Sequence, residues 1–218
     1  MKFFIDTANL DHIQEANEMG IIDGVTTNPS LMAKEGIKGE KAAHKRYKDI
    51  CNLVNGDISA EVIATDFKGM IREGETLAAI DEKIVVKVPM ILDGLKAIKY
   101  FTGIGIRTNC TLVFSPGQAI LACKAGATYI SPFIGRLDDI GYDGMQLIAQ
   151  LSGIFAVQGY ETQILAASIR NPIHIIKCAE AGAHVITSPL EPILALLKHP
   201  LTDIGLEKFL ADHQKANG

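Results

Sequence analysis

The chain has 218 residues, a formal net charge of −4 and a pI near 5.9. That balance argues against nucleic acid or an anionic membrane surface as the main partner, while leaving room for a local cationic pocket. Hydrophobic residues make up 48% and charged ones 21%, enough to bury a sizeable core, and no run of about 18 uncharged apolar residues is present to span a bilayer.

The first element is a short apolar strand at 2–6, closed by Asp6 and too short for a signal peptide. An amphipathic helix at 10–19 comes next. A second strand at 24–27 runs into Asn28-Pro29-Ser30, a capping residue followed by proline at the first helical position. A helix at 41–54 leads to a strand at 58–63, which carries Glu61 late in its length. The strand at 84–88 is Ile-Val-Val-Lys-Val, a run with the look of a fully buried parallel strand except for Lys87. Then come a helix at 92–101, a strand at 108–113 and a helix at 117–125. A strand at 129–133, a helix at 144–158, a strand at 163–167, a helix at 172–181 and a strand at 185–187 complete the series. Gly126, Gly159 and Gly182 come after helical runs, where left-handed C-terminal glycines belong. Eight strands alternating with helices predict an α/β fold, a single closed (β/α)₈ TIM barrel over residues 1–218. A doubly wound open sheet is the competing topology. Residues 201–216 predict an additional C-terminal helix, whose apolar Leu206, Phe209 and Leu210 pack on the barrel or on a neighbouring subunit.

Lys87 is the position that most constrains function. A charge in a buried strand is costly, and burial favours the neutral amine. A neutral amine in an apolar pocket can attack a carbonyl and form a Schiff base. Side chains alternate across a strand, so polar residues two apart share a face. Thr26 and Asn28, Asn109 and Thr111, Ser131 and Phe133, and Ser168 and Arg170 are such pairs. At the C-terminal ends of barrel strands these residues surround an active-site mouth. Each has a plainer reading. Asn28 caps the helix behind it, Asp6 caps a turn, Glu61 and Lys87 form a structural ion pair, and Arg136 sits on a surface loop. Taken jointly, the set supports chemistry. Lys87 would be the nucleophile. Glu61 would be the general acid/base, acting through a water held by Thr111. Asp6 would take a proton from the hydroxyl next to the bond being cleaved. Asn28, Asn109 and Ser131 would hold sugar hydroxyls. Arg136, Ser168 and Arg170, with the helix starting at Pro172, would bind an anion.

No cofactor is expected: there is no Walker A motif, and Gly103-Ile104-Gly105 lacks the third glycine of a dinucleotide fingerprint. No metal site is expected either, because the six histidines show no ligand spacing. Cys51, Cys110, Cys123 and Cys178 form no CxxC pair and read as free thiols of a cytoplasmic protein.

Six segments then carry a resemblance. They are Phe4-Ile5-Asp6-Thr7-Ala8, Gly24 through Ser30 (GVTTNPS), Val85-Val86-Lys87-Val88-Pro89, Asn109 through Phe114 (NCTLVF), Ser131 through Asp139 (SPFIGRLDD) and Ala167-Ser168-Ile169-Arg170-Asn171. In this order they resemble the transaldolase family, and within it the short-chain subfamily that includes fructose-6-phosphate aldolase. The resemblance implies a Schiff-base lysine on strand four and transfer of a dihydroxyacetone unit between sugar phosphates in the non-oxidative pentose phosphate pathway. It implies a homo-oligomer, pentamer or decamer, in which the C-terminal helix reaches a neighbour. The aldolases of the subfamily carry Gln where this chain has Glu61 and Tyr where it has Phe133, so the resemblance favours transfer over release of free dihydroxyacetone. A non-catalytic sugar-phosphate sensor is the expectation from a different class.

Overall fold

The computed structural model describes residues 1–217. Eight parallel strands succeed one another around a closed barrel. They are β1 (Lys2–Asp6), β2 (Gly24–Thr26), β3 (Asp57–Glu61), β4 (Ile84–Pro89), β5 (Thr108–Val113), β6 (Tyr129–Pro132), β7 (Gln163–Ala166) and β8 (Val185–Ser188). The helices are α1 (Leu10–Glu18), α2 (Pro29–Lys34), α3 (Glu40–Leu53), α4 (Phe67–Ala78), α5 (Leu92–Gly103), α6 (Pro116–Ala125), α7 (Ile134–Asp138), α8 (Gly144–Gln158), α9 (Pro172–Glu180), α10 (Leu190–Ala195) and α11 (Pro200–Asn217). Barrel closure, made by β1 pairing with β8, excludes the open doubly wound sheet.

The helix starts are written locally. Asn9, Asn28, Asp66, Ser115, Asp143 and Asn171 each accept a hydrogen bond from an N–H in the first turn they precede. Such caps are worth about 1 kcal/mol apiece. Pro29, Pro116 and Pro172 take the first helical position, where a missing N–H does no harm.

Alternation along the strands divides the apolar residues between two cores. Ile5, Val25, Ile58, Val86, Val88, Cys110, Ile130, Ile164 and Ile186 face outward into a large layer shared with the helices. Each such buried aliphatic contributes roughly 1.5–3 kcal/mol over an exposed one. Phe4, Val85, Tyr129, Leu165, Ala167 and Val185 face inward and form a separate plug. Beneath the plug the Tyr129 hydroxyl donates to Asp57 Oδ2 at 2.8 Å, while Arg107 pairs with Asp57 Oδ1 at 2.5 Å. Above it the interior turns polar.

Several sequence boundaries need correction. β3 ends at Glu61; Val62 and Ile63 leave the sheet, and Ile63 is exposed. α2 is the helix that Asn28 and Pro29 announced, while α4, α7 and α10 are additions to the elements expected from sequence. The C-terminal helix is present, but it has no buried residue, so it does not pack on the barrel as one of the two expectations had it.

Candidate active site

Strand register brings the charged residues together. In β3 and β4, Glu61 lies opposite Lys87; in β4 and β5, Lys87 lies opposite Asn109. Side chains in register on neighbouring parallel strands point to the same face, so all three enter the barrel. Lys87 is only 4% exposed. Its Nζ lies 3.1 Å from Glu61 Oε2 and donates to the Thr27 carbonyl at 3.0 Å. The buried lysine singled out from the strand pattern thus has both the Glu61 carboxyl and a backbone carbonyl as partners.

Asp6 closes β1 beside this pair. It accepts from Thr26 Oγ1 at 2.7 Å, and Thr26 Oγ1 lies 2.6 Å from Thr187 Oγ1. With the Thr26 proton directed at the carboxylate, Thr187 donates to Thr26, giving a three-membered relay across β8, β2 and β1. Burial pushes the Asp6 carboxyl above its ordinary value; the Lys87 charge, the Thr26 hydroxyl and the Lys34 charge act in the opposite direction without overcoming it.

A cavity of about 700 Å³ opens above these groups at the C-terminal ends of the strands. Of the residues singled out from sequence, Asp6, Asn28, Glu61, Lys87, Thr111, Ser131, Phe133, Arg136, Ser168 and Arg170 line it. Asn109 does not. It is fully buried, its amide donating to Ser59 Oγ at 3.1 Å and its carbonyl accepting from Ser131 Oγ at 2.8 Å. Asn28 caps α2, its Oδ1 accepting from the Leu31 N–H, and it also borders the cavity. The Thr111 hydroxyl is buried with no protein partner. A buried hydroxyl left so costs about 1–3 kcal/mol, and Thr111 is one of the residues that border the cavity.

Two non-glycine residues hold left-handed backbone, Leu112 (φ 61°) and Ser168 (φ 63°). Both border the cavity. Leu112 sits where the β5–β6 register shifts between Cys110 and Val113, a bulge that sets the directions of neighbouring side chains. Such strain costs roughly 1–3 kcal/mol per residue and tends to collect at ligand sites.

The cationic end of the cavity belongs to β6, β7 and the segments that leave their C-terminal ends. The Arg136 guanidinium lies over the Phe133 ring, 4.8 Å from its centroid. Phe133 meets Phe114 edge-on at 5.9 Å. Arg170 bonds Asp139 at 2.7 Å, and its backbone N–H donates to His174 Nδ1 at 3.3 Å. Sequence reasoning passes over Thr187, which strand alternation with Val185 would have placed inward, and Lys34, which alternation could not have found because it lies on α2.

A family described as Transaldolase/Fructose-6-phosphate aldolase matches residues 3–217. The chain belongs to this family. A protein of Cytophaga hutchinsonii named probable transaldolase is 70% identical over 218 residues, with both chains covered in full. One of the same name from Phocaeicola vulgatus is 68% identical over 218 residues, again with full coverage. Among solved structures, a cube-shaped, highly porous protein cage designed by fusing symmetric oligomeric domains matches all of this chain and 78% of that one, with a TM-score of 0.59 and 16% identity. That likeness carries the fold alone. Family membership makes the chain an enzyme of the transaldolase and aldolase type.

Proposed function

We propose that the protein is a transaldolase. It moves a dihydroxyacetone unit from sedoheptulose 7-phosphate or fructose 6-phosphate to glyceraldehyde 3-phosphate or erythrose 4-phosphate. The observation that carries this reading is the buried Lys87 ammonium 3.1 Å from the Glu61 carboxylate at the base of a polar cavity.

The chemistry comes from the positions. Glu61 takes a proton from the Lys87 ammonium, and the freed amine adds to the ketose carbonyl carbon. Glu61 returns the proton to the carbinolamine hydroxyl, water leaves, and an iminium forms. Asp6 then removes the proton of the C4 hydroxyl. The C3–C4 bond breaks, its electrons pass into the iminium to give an enamine, and the aldose departs. A carboxyl held above its ordinary value suits a group that takes up a proton and later returns it. The enamine adds to the incoming aldehyde, Asp6 protonates the new alkoxide, and hydrolysis regenerates Lys87. Ser131 and Asn28 hold substrate hydroxyls, and Arg136, Ser168 and Arg170 hold the phosphate; all five border the cavity, which supports this reading. No cofactor is required at any step.

Release of free dihydroxyacetone is the competing outcome. Phe133 borders the cavity without a hydroxyl, which favours transfer. Borohydride added with fructose 6-phosphate should fix a three-carbon adduct on Lys87. Turnover should depend on the acceptor aldose. Rapid dihydroxyacetone release without acceptor would assign the protein to the aldolases, and active protein with no adduct would end the Schiff-base reading.

Leu201, Ile204, Leu206, Phe209 and Leu210 of α11 are all exposed, and the free thiols suit a reducing compartment. Both fit a cytoplasmic homo-oligomer, pentamer or decamer, held together in part through α11. Among the described residues no helix is long and apolar enough to cross a membrane.

A further inference from the structure

Gly135 stands where the start of α7 runs against the end of β7. The Ala167 N–H donates to the Pro132 carbonyl at 2.9 Å, the Ile134 N–H to the Ala167 carbonyl at 3.0 Å, and the Gly135 N–H to the Ser168 carbonyl at 3.2 Å. These three bonds bind the two segments side by side. A Cβ on Gly135 would press into the Ser168 carbonyl oxygen and lie 2.5 Å from Arg170 Nε and 2.9 Å from Arg170 Cγ. The first of those atoms is backbone, fixed by its hydrogen bond to Gly135 and by a left-handed residue, so it yields less readily than a side chain. The next residue in the chain is Arg136. One absent methyl group therefore adjoins all three residues at the cationic end of the cavity.

The Arg170 side chain has another neighbour, Asp139, but that pair is 51% and 61% exposed. Exposed ion pairs hold geometry weakly. Its backbone is anchored from the far side by His174. Packing of the arginine stem across Gly135 is a further restraint on the guanidinium.

We propose that Gly135 is a positioning residue for anion binding. Its lack of a side chain lets Ser168 and Arg170 converge beside Arg136, and so sets the preference for phosphorylated over unphosphorylated sugar. This rests on the reading of those three residues as the phosphate site.

The test compares Gly135→Ala, Asp139→Asn, Arg170→Gln and, as a control remote from the site, Gly74→Ala, whose Cβ would meet the Phe101 ring in the outer layer. Three quantities are measured: KM and kcat with fructose 6-phosphate, competitive inhibition by inorganic phosphate, and borohydride trapping of unphosphorylated dihydroxyacetone. A misplacement near 1 Å weakens such a site by about tenfold to a hundredfold. Gly135→Ala should raise both KM and the phosphate inhibition constant by that factor. Dihydroxyacetone trapping and kcat should stay within about threefold, and Gly74→Ala should leave all three unchanged. Folded Gly135→Ala with unaltered phosphate inhibition overturns the proposal. Should Gly135→Ala not fold, Asp139→Asn decides. Phosphate inhibition within about threefold of the unsubstituted protein upholds packing as the aiming force. A loss as large as that of Arg170→Gln assigns the role to the ion pair and overturns it. Arg170→Gln with unchanged phosphate inhibition would sink the phosphate reading itself, a result separable from failure of the Gly135 variant alone.

Discussion

Replacing Lys87 by methionine keeps the length and volume of the side chain while removing the amine. At 3.1 Å the attraction between Lys87 and Glu61 amounts to roughly 5 kcal/mol for an effective dielectric near 20, and desolvation of the two groups offsets most of it. Removing one member of a fully buried pair costs about 3–5 kcal/mol because the other charge is stranded. Glu61 opens on the cavity, with 15% of its side chain exposed, so water softens that penalty to about 1–3 kcal/mol. On a Glu61→Gln background no charge is stranded, and the same Lys87→Met change should cost at least about 1 kcal/mol less. Urea unfolding of the four proteins gives this difference directly. Sugar transfer by Lys87→Met should fall by at least about a thousandfold, with no borohydride adduct by mass spectrometry. An equal stability loss in both backgrounds would mean that the two groups are uncoupled, and Glu61 would lose its role as the proton acceptor of Lys87. A ketose adduct in Lys87→Met would move the Schiff base to another residue.

Burial raises the Asp6 carboxyl above its ordinary value, so between the unfolded and folded values the native state binds the extra proton. Its ionisation therefore lowers stability as pH rises through that window. Asp6→Asn should match the unsubstituted protein below the window and exceed it in stability above, by thermal unfolding across pH, while losing transfer activity. In the unsubstituted protein the acid limb of kcat should lie higher than a solvent-exposed aspartate would place it. The Cys110 and Cys178 thiols are pushed up to about 12 by burial; both should resist a thiol reagent at pH 8 in native protein and react once it is unfolded. Removing residues 200–218 should leave the circular dichroism of the barrel in place, since α11 contributes no buried residue, but should lower the oligomer mass read by light scattering; an unchanged mass would exclude α11 from assembly. Phe133→Tyr should raise release of free dihydroxyacetone several-fold in an assay without acceptor.

The strands are legible to within a residue or two because a parallel strand buried on both sides is apolar on the face it turns to the helices, and Gly, Pro and Asn mark its ends. The helix α4 escapes because Gly69 and Gly74 interrupt its pattern; Gly74 is there for the close approach of the Phe101 ring, a tertiary reason with no local signature. The short helices α7 and α10 lie in the loops after β6 and β8, where too few residues exist to show a period. Alternation identifies which polar side chains point inward, but it carries no depth along the barrel axis. Asn109, inward like Lys87 and opposite it in register, reads from sequence as touching sugar; in the structure its side chain is bonded to Ser59 and Ser131 and does not border the cavity. Lys34 reaches the cavity from a helix, and only the folded chain brings it there.

The two apolar cores have a consequence for how this protein can change. On β4, Val86 and Val88 secure the helical layer while Lys87 between them faces the cavity. On β1, β3 and β5 the same division separates Ile5 from Asp6, Ala60 from Glu61 and Cys110 from Thr111. The residues that hold the barrel closed and the residues that line the cavity are interleaved one by one, yet they belong to opposite sides of a single-layer wall. Substitution on the inner upper storey is thereby insulated from the greater part of the folding energy. New substrate preferences are open to this scaffold through single inward replacements, with no need to repack the layer that keeps it folded.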